Sequence, residues 1–312
     1  MRGARPDAAA RALWEERTLV KTWAMRGTLH LLPVDQAGAY LALVGTGKFW
    51  EQPSWQRNFG ATPADLEAIA EVAARVLDGA VLTREQLSAA IVERTSSPHL
   101  AQVLASGWGP VLKPLAWWGV LCHGPSQGTR VTFTSPSGLP GWKGLPPVEE
   151  AARTVIRAFL GAHGPATPDM LDAWLTRKSS RKTAVKRWFA ALADELTTVE
   201  VDGVPMYVLA EHLDELLATG PSETVRLLGG FDQYVLGAGT DATYLVPAER
   251  RAEVSRAAGW ISPVVLYGGR VAGVWQADGK LPEVTLWEQV PRGPLDAEIA
   301  RIQTLAAKTP QA

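Results

Sequence analysis

A short pattern occurs twice in this chain, each time directly before a helix that belongs to a series of three helices followed by two strands. Residues 82–87 (LTREQL) and 166–171 (ATPDML) both place a threonine just before the helix. A threonine there favours a helix start, because its hydroxyl accepts a hydrogen bond from an unpaired backbone N–H. Three helices followed by a hairpin is the order of a winged-helix domain, so the sequence predicts two such units in tandem.

Apolar periodicity and turn residues set the bounds of both copies. The second copy contains Asp202-Gly203 between two extended runs, a dipeptide that favours tight hairpin turns. The predicted helices cover residues 62–77, 84–94 and 99–118 in the first copy and 148–162, 169–175 and 182–196 in the second, with strands over 119–133 and 199–208.

The remaining segments complete an α+β fold. Residues 1–60 hold a predicted helix over 8–17 and one half-buried strand over 20–32, and we interpret them as the remnant of an N-terminal winged-helix-like unit. A β-rich, barrel-like domain closed by a helix over 296–308 is predicted at the other end. The predicted domains are residues 1–60, 61–145 (winged helix), 146–218 (winged helix with a basic third helix) and 219–312 (β-rich).

Composition excludes several classes of protein. Cys122 is the single cysteine, so disulfide frameworks and Cys-x-x-Cys redox sites are excluded, and a reducing, cytoplasmic location is expected. The histidines lack the spacing of metal ligands, no dinucleotide-binding Gly-x-Gly-x-x-Gly occurs, and neither a signal peptide nor a membrane span is expected. A net charge of −1 also argues against a uniformly basic nucleic-acid binder, so the distribution of charge matters more than its sum.

One segment concentrates positive charge. Residues 176–188, which we call the basic segment, carry six cations and no acidic residue at the start of the last helix of the second copy. In helix-turn-helix-type domains this helix docks on DNA, so we expect backbone binding; the alternative is a solvated helix face. The predicted DNA-binding residues are Arg177, Lys178, Ser179, Ser180, Arg181, Lys182, Lys186 and Arg187, with the two serines as further phosphate contacts.

A second candidate site lies near the N-terminus. Arg26, Thr28 and His30 occupy alternate positions of the predicted strand 20–32, which places all three on one face. An arginine can hold a phosphate, a threonine can bind a base or water, and a histidine can act as acid or base. The alternative is an internal polar network that supports the sheet.

Residues 21–32 (KTWAMRGTLHLL) resemble the hallmark of the winged-helix AlkZ/YcaQ-type DNA glycosylase family. Residues 163–167 (HGPAT) through Trp174, 228–234 (LGGFDQY) and 268–275 (GGRVAGVW) extend the similarity along most of the chain. The resemblance implies tandem winged-helix units around a DNA-binding concavity and excision of alkylated bases, including those in interstrand crosslinks. It implies double-stranded DNA as partner and a monomer, and it implies no metal or organic cofactor. Arg26, Thr28 and His30 are the candidate catalytic residues.

The family's catalytic Gln-x-Gln or Gln-x-Asp motif lies upstream of this hallmark. None of the residues that precede Met25 here is a glutamine, so that pair is not carried over. Two interpretations follow. Either the start codon is placed too far downstream, which is favoured because the chain begins within a domain, or the protein is a truncated relative that binds DNA without excision. A monofunctional DNA glycosylase and a non-catalytic winged-helix DNA-binding or regulatory protein are the two functions that result.

Overall fold

The structure is a computed structural model that describes residues 7–105, 109–277 and 281–308. The helices are α1 (Ala8–Trp14), α2 (Val34–Gly45), α3 (Pro53–Phe59), α4 (Pro63–Val76), α5 (Arg84–Thr95), α6 (Pro98–Ala105), α7 (Lys113–Trp117), α8 (Val148–His163), α9 (Pro168–Thr176), α10 (Lys182–Ala190), α11 (Leu213–Ala218), α12 (Gln233–Ala238), α13 (Arg251–Val254) and α14 (Arg292–Lys308). The strands are β1 (Leu19–Trp23), β2 (Leu29–Pro33), β3 (Leu82–Thr83), β4 (Cys122–Gln127), β5 (Arg130–Thr134), β6 (Leu196–Val201), β7 (Val204–Leu209), β8 (Arg226–Leu228), β9 (Val264–Tyr267), β10 (Arg270–Gln276) and β11 (Glu283–Leu286).

The chain divides into two compact units. The first comprises Met1–Arg157 and Leu175–Ala191, and the second comprises Ala158–Trp174 and Leu192–Ala312. None of the helices within the described ranges is both long and apolar enough to cross a bilayer.

The first copy of the repeated pattern lies in the first unit and begins with two capped helices. Thr62 accepts a hydrogen bond from the Asp65 amide at 3.2 Å and Thr83 accepts one from the Gln86 amide at 3.2 Å, so both predicted helix starts are confirmed. The described strands of this unit form an antiparallel sheet in the order β2-β1-β4-β5-β3. The predicted helix over 99–118 is instead two shorter helices, α6 and α7, separated by a segment that includes Gly109 and Pro110.

The second copy has the expected element order of α8, α9, α10 and the hairpin β6-β7. In that hairpin Asp202 and Gly203 have φ values of 48° and 77°, which is the left-handed pair of a tight turn, as predicted. Ala166 bridges to Tyr207 of β7 and thereby adds the short strand that winged-helix units place between their first two helices.

The C-terminal part contains a four-stranded antiparallel sheet together with helices α12, α13 and α14. Its sheet is open, so the predicted barrel-like closure was wrong. The described strands follow the order β11-β10-β9-β8, with no closed barrel among the residues that the structure describes. Gly268-Gly269 forms the predicted turn between β9 and β10. Leu295 of α14 packs with Leu227 and Val265, so this helix closes the core on one side of the sheet.

Candidate nucleic-acid interface

The hallmark segment folds as a hairpin and not as the single strand predicted over residues 20–32. Strands β1 and β2 pair with each other, and the chain reverses between Ala24 and Thr28, where the Ala24 amide donates to the Thr28 carbonyl at 3.0 Å. Arg26 and Gly27 both adopt left-handed backbone, with φ values of 57° and 67°. The strand prediction was wrong because alternating apolar residues do not reveal an arginine that takes a glycine-like conformation.

The hairpin gives the three predicted catalytic residues different environments. Arg26 lies in the turn and faces a cavity, whereas the Thr28 hydroxyl donates to the Met25 carbonyl at 3.1 Å and so braces the turn. His30 lies on β2, and its Nδ1 lies 3.0 Å from the Thr28 carbonyl. The expectation that period-two geometry aligns all three side chains is therefore wrong, although Arg26 and His30 remain close enough to interact electrostatically.

His30 is held in its neutral form near neutral pH. Burial lowers its pKa most, the hydrogen bond to the Thr28 carbonyl raises it, and the positive charge of Arg26 lowers it further, so that the pKa lies below the ordinary value. Because its partner is a carbonyl oxygen, Nδ1 must donate, and Nε2 is then the nitrogen that can accept a proton.

The basic segment begins with a tightly bonded loop. The buried Thr176 hydroxyl accepts from the Ser179 and Ser180 amides at 3.1 and 3.2 Å, and the Ser179 hydroxyl donates to the Thr176 carbonyl at 2.6 Å. The hydroxyl proton of Ser179 is thus used within the loop. Arg177 and Lys178 have φ values of 61° and 62°, so this loop, like the hairpin turn, carries its charge on left-handed backbone.

Helix α10 presents the rest of the basic segment. Val185, Trp188 and Phe189 are buried, while Lys182 and Lys186 are exposed beside this buried face. Arg187 is also exposed and forms an ion pair with Glu149 of α8 at 3.3 Å. The basic segment alone gives no sign of this acidic partner, because Glu149 lies well outside it.

A cavity of about 290 Å³ lies within the first unit, beside the hairpin turn. Three cations from separate segments line it, Arg26 of the turn, Lys113 at the start of α7 and Arg177 of the loop, and none of the described lining residues is acidic. The complete lining is Arg26, Gly27, Val44, Phe49, Trp55, Phe59, Pro110, Lys113, Trp117, Leu175, Thr176 and Arg177.

The cations of this cavity repel one another. Burial lowers the pKa of both Arg26 and Lys113, and the charge of Arg177 lowers each of them further. Gly27 brings the turn close to its neighbours: a Cβ placed on it would lie 3.8 Å from the Lys113 Nζ and 3.8 Å from Cζ2 of Trp117. Lys113 is the first charged residue after a long uncharged stretch, and this was the one signal in the sequence that could have marked it.

Two further residue patterns in the chain have the spacing of catalytic motifs. Residues 124–128 match Gly-x-Ser-x-Gly, but Ser126 lies in the hairpin β4-β5 and not at the strand-to-helix turn that a serine nucleophile needs. Gln276-Ala277-Asp278 has Gln-x-Asp spacing downstream of the hallmark, and Asp278 lies outside the described residues.

Comparison with known proteins identifies the family. A family model described as DNA glycosylase AlkZ-like matches residues 1–305. An interstrand DNA cross-link repair glycosylase of Streptomyces sahachiroi is 49% identical over 282 residues, which are 90% of this chain and 76% of that protein. The solved structure of the Streptomyces sahachiroi DNA glycosylase AlkZ matches 97% of this chain and 84% of its own with a TM-score of 0.91 at 45% identity. This chain belongs to the AlkZ-like DNA glycosylase family.

Proposed function

We propose that this protein removes alkylated bases from double-stranded DNA, including bases joined in interstrand crosslinks, by hydrolysing the N-glycosidic bond. The observation that carries the proposal is that, in one compact unit of a DNA glycosylase family member, Arg26 of the hallmark hairpin and Arg177, the first cation of the basic segment, line the same cavity. The relative that is 49% identical is named for interstrand cross-link repair, which supports crosslinked DNA as a substrate. Family membership favours this function over that of a winged-helix regulator.

An N7-alkylated purine is a cationic leaving group, so the enzyme must mainly position water and stabilise positive charge on the sugar. His30 suits this task because it is neutral and its Nε2 can accept a proton from the attacking water. Arg26 is proposed to hold a phosphate beside the scissile bond, and Thr28 to fix the turn that presents both side chains.

The basic segment is the proposed DNA-binding surface. Arg181, Lys182 and Lys186 are exposed and suited to phosphate contacts, and Arg187 joins them when it leaves Glu149. We extend the proposal to the domain division at residues 1–60, 61–145, 146–218 and 219–312. We extend it also to a monomer that acts without a cofactor and to a cytoplasmic location.

A single-turnover assay tests the proposal. A duplex with one N7-methylguanine is incubated with the protein, abasic product is scored after alkaline cleavage, and binding of the unmodified duplex is measured in parallel. We expect His30→Ala to slow excision at least about tenfold while duplex affinity stays unchanged, because His30 is proposed to act on water and not on phosphate. Equal loss of both activities would refute the assignment of His30.

A second outcome bears on the function itself. If the wild-type protein binds duplex but excises no faster than spontaneous depurination, the glycosylase proposal fails and a non-catalytic DNA-binding protein remains. A crosslinked duplex, scored for unhooked strands on a denaturing gel, extends the same test to the second substrate.

A further inference from the structure

The cavity beside the hairpin turn has two chemically distinct walls. Arg26, Lys113 and Arg177 supply the charged wall, and among the described residues neither Lys113 nor Arg177 forms an ion pair. Three cations at one cavity without an acidic residue in the described lining form a site for an anion, because an anion relieves their mutual repulsion.

The other wall is aromatic. The Phe49 and Trp117 rings meet edge to face with centroids 5.5 Å apart, and the Trp55 and Phe59 rings pack at 4.9 Å. All four line the cavity. A planar, apolar group attached to an anion matches both walls at once, since bases pack readily against aromatic side chains.

An unsatisfied donor supports the presence of a ligand. The Trp117 side chain is 5% exposed, and its Nε1–H has no hydrogen-bond partner among the described residues. A buried N–H without a partner costs free energy, so such a group is typically paired in the working state. Cζ2, on the same edge of the indole ring, lies 3.8 Å from the position of a Cβ on Gly27.

We propose that this cavity holds one unpaired nucleotide of the DNA, with its phosphate bound by Arg26, Lys113 and Arg177 and its base against the aromatic wall. The proposal rests on the proposed function only in taking DNA as the partner. The volume of about 290 Å³ accommodates a group larger than a single phosphate, and the charged wall alone would not need aromatic neighbours. Lys113 is the diagnostic residue, because it lies outside the basic segment.

Binding to two DNA duplexes tests the proposal. One duplex is fully paired, and the other has the same sequence with a single unpaired nucleotide; affinities are measured by fluorescence anisotropy at fixed salt. We expect the wild-type protein to prefer the bulged duplex, and Lys113→Met to reduce that preference about tenfold, the size typical of a lost hydrogen bond to a charged group. Lys113→Arg keeps the charge and should retain most of the preference.

Lys186→Met is the matched control, because Lys186 is an exposed cation of the basic segment that does not line the cavity. It should weaken binding of both duplexes by the same factor. Circular dichroism and thermal melts establish that each variant folds, and Trp55→Leu gives a second, uncharged perturbation that should also lower the preference for the bulged duplex.

Three results would overturn the proposal: no wild-type preference for the bulged duplex, equal loss on both duplexes with Lys113→Met, or Lys113-dependent binding of free deoxynucleoside monophosphate without any gain from the bulge. Failure of the proposed function looks different. It appears as absence of excision from a duplex that contains the alkylated base, and it leaves the ratio of the affinities for the two duplexes as an independent measurement.

Discussion

Salt dependence gives the sharpest test of how the basic segment binds DNA. Of its six cations, Arg177 lines the cavity and Arg187 pairs with Glu149. The other four are exposed and have neither role: Lys178, Arg181, Lys182 and Lys186. Each neutralised phosphate contributes about −0.9 to the slope of log affinity against log salt, so four contacts give about −3.6. Raising salt from about 50 to about 200 mM should then weaken binding roughly 150-fold.

The perturbation is the double substitution Lys182→Ala with Lys186→Ala. Removal of two phosphate contacts should reduce the slope to about −1.8, measured by anisotropy titrations of a labelled duplex at several salt concentrations. Lys143→Ala is the control, because Lys143 is an exposed lysine outside the basic segment, and its slope should equal that of the wild type. A wild-type slope near zero, or an unchanged slope in the double variant, would refute the assignment of this surface.

Three further predictions follow from ion pairs and buried groups. Glu149→Gln releases Arg187 and should steepen the salt slope by up to about 0.9, whereas an unchanged slope would show that Arg187 does not reach phosphate. Glu298 is 3% exposed; burial raises its pKa, but hydrogen bonds from Arg301 and a backbone amide and nearby positive charge outweigh burial, so the pKa lies below its usual value. The contribution of the Glu298 carboxylate to stability is therefore present at neutral pH and lost as the pH falls through the acid range. Glu298→Gln should lower the free energy of unfolding by about 2 kcal/mol at pH 7, measured by urea denaturation, and the difference from the wild type should be smaller in acid. Burial and the charge of Lys21 lower the pKa of His123 from 6.5 to about 4. The free energy of unfolding should therefore fall by roughly 2–3 kcal/mol as the pH drops from 7 to about 4.5, because the unfolded chain binds a proton that the folded protein does not. Urea denaturation at the two pH values should show this loss for the wild type and not for His123→Phe.

The sequence predicted correctly those structural elements that depend on a few adjacent residues. The threonine caps of α4 and α5 and the Asp202-Gly203 turn each depend on a few adjacent residues, and all of them were predicted correctly. The hairpin turn was missed because Arg26 adopts a conformation that its residue type disfavours. Gly27, the next residue, is the one local sign of the reversal, because glycine adopts left-handed backbone freely.

The cavity could not be predicted from the sequence because its walls come from distant segments. Arg26 and Arg177 both have unusual backbone conformations, and Lys113 meets them only through tertiary packing. Trp50 and Trp188 are buried in the core, which is the usual place for such large side chains. Trp117 is buried as well, yet it also lines the cavity, and no periodic pattern separates these two roles.

Arg26, Arg177 and Lys178 place charged side chains on left-handed backbone, where glycine would make the fold more stable. A residue with a Cβ costs roughly 1 kcal/mol in this conformation, which glycine adopts freely. Selection of this chain for heat resistance alone, without DNA, would therefore enrich glycine at these three positions and deplete the charge that we assign to DNA. Thermostable variants obtained in this way should bind DNA less well. The positions at which glycine appears would therefore identify residues that serve DNA binding and not the stability of the fold.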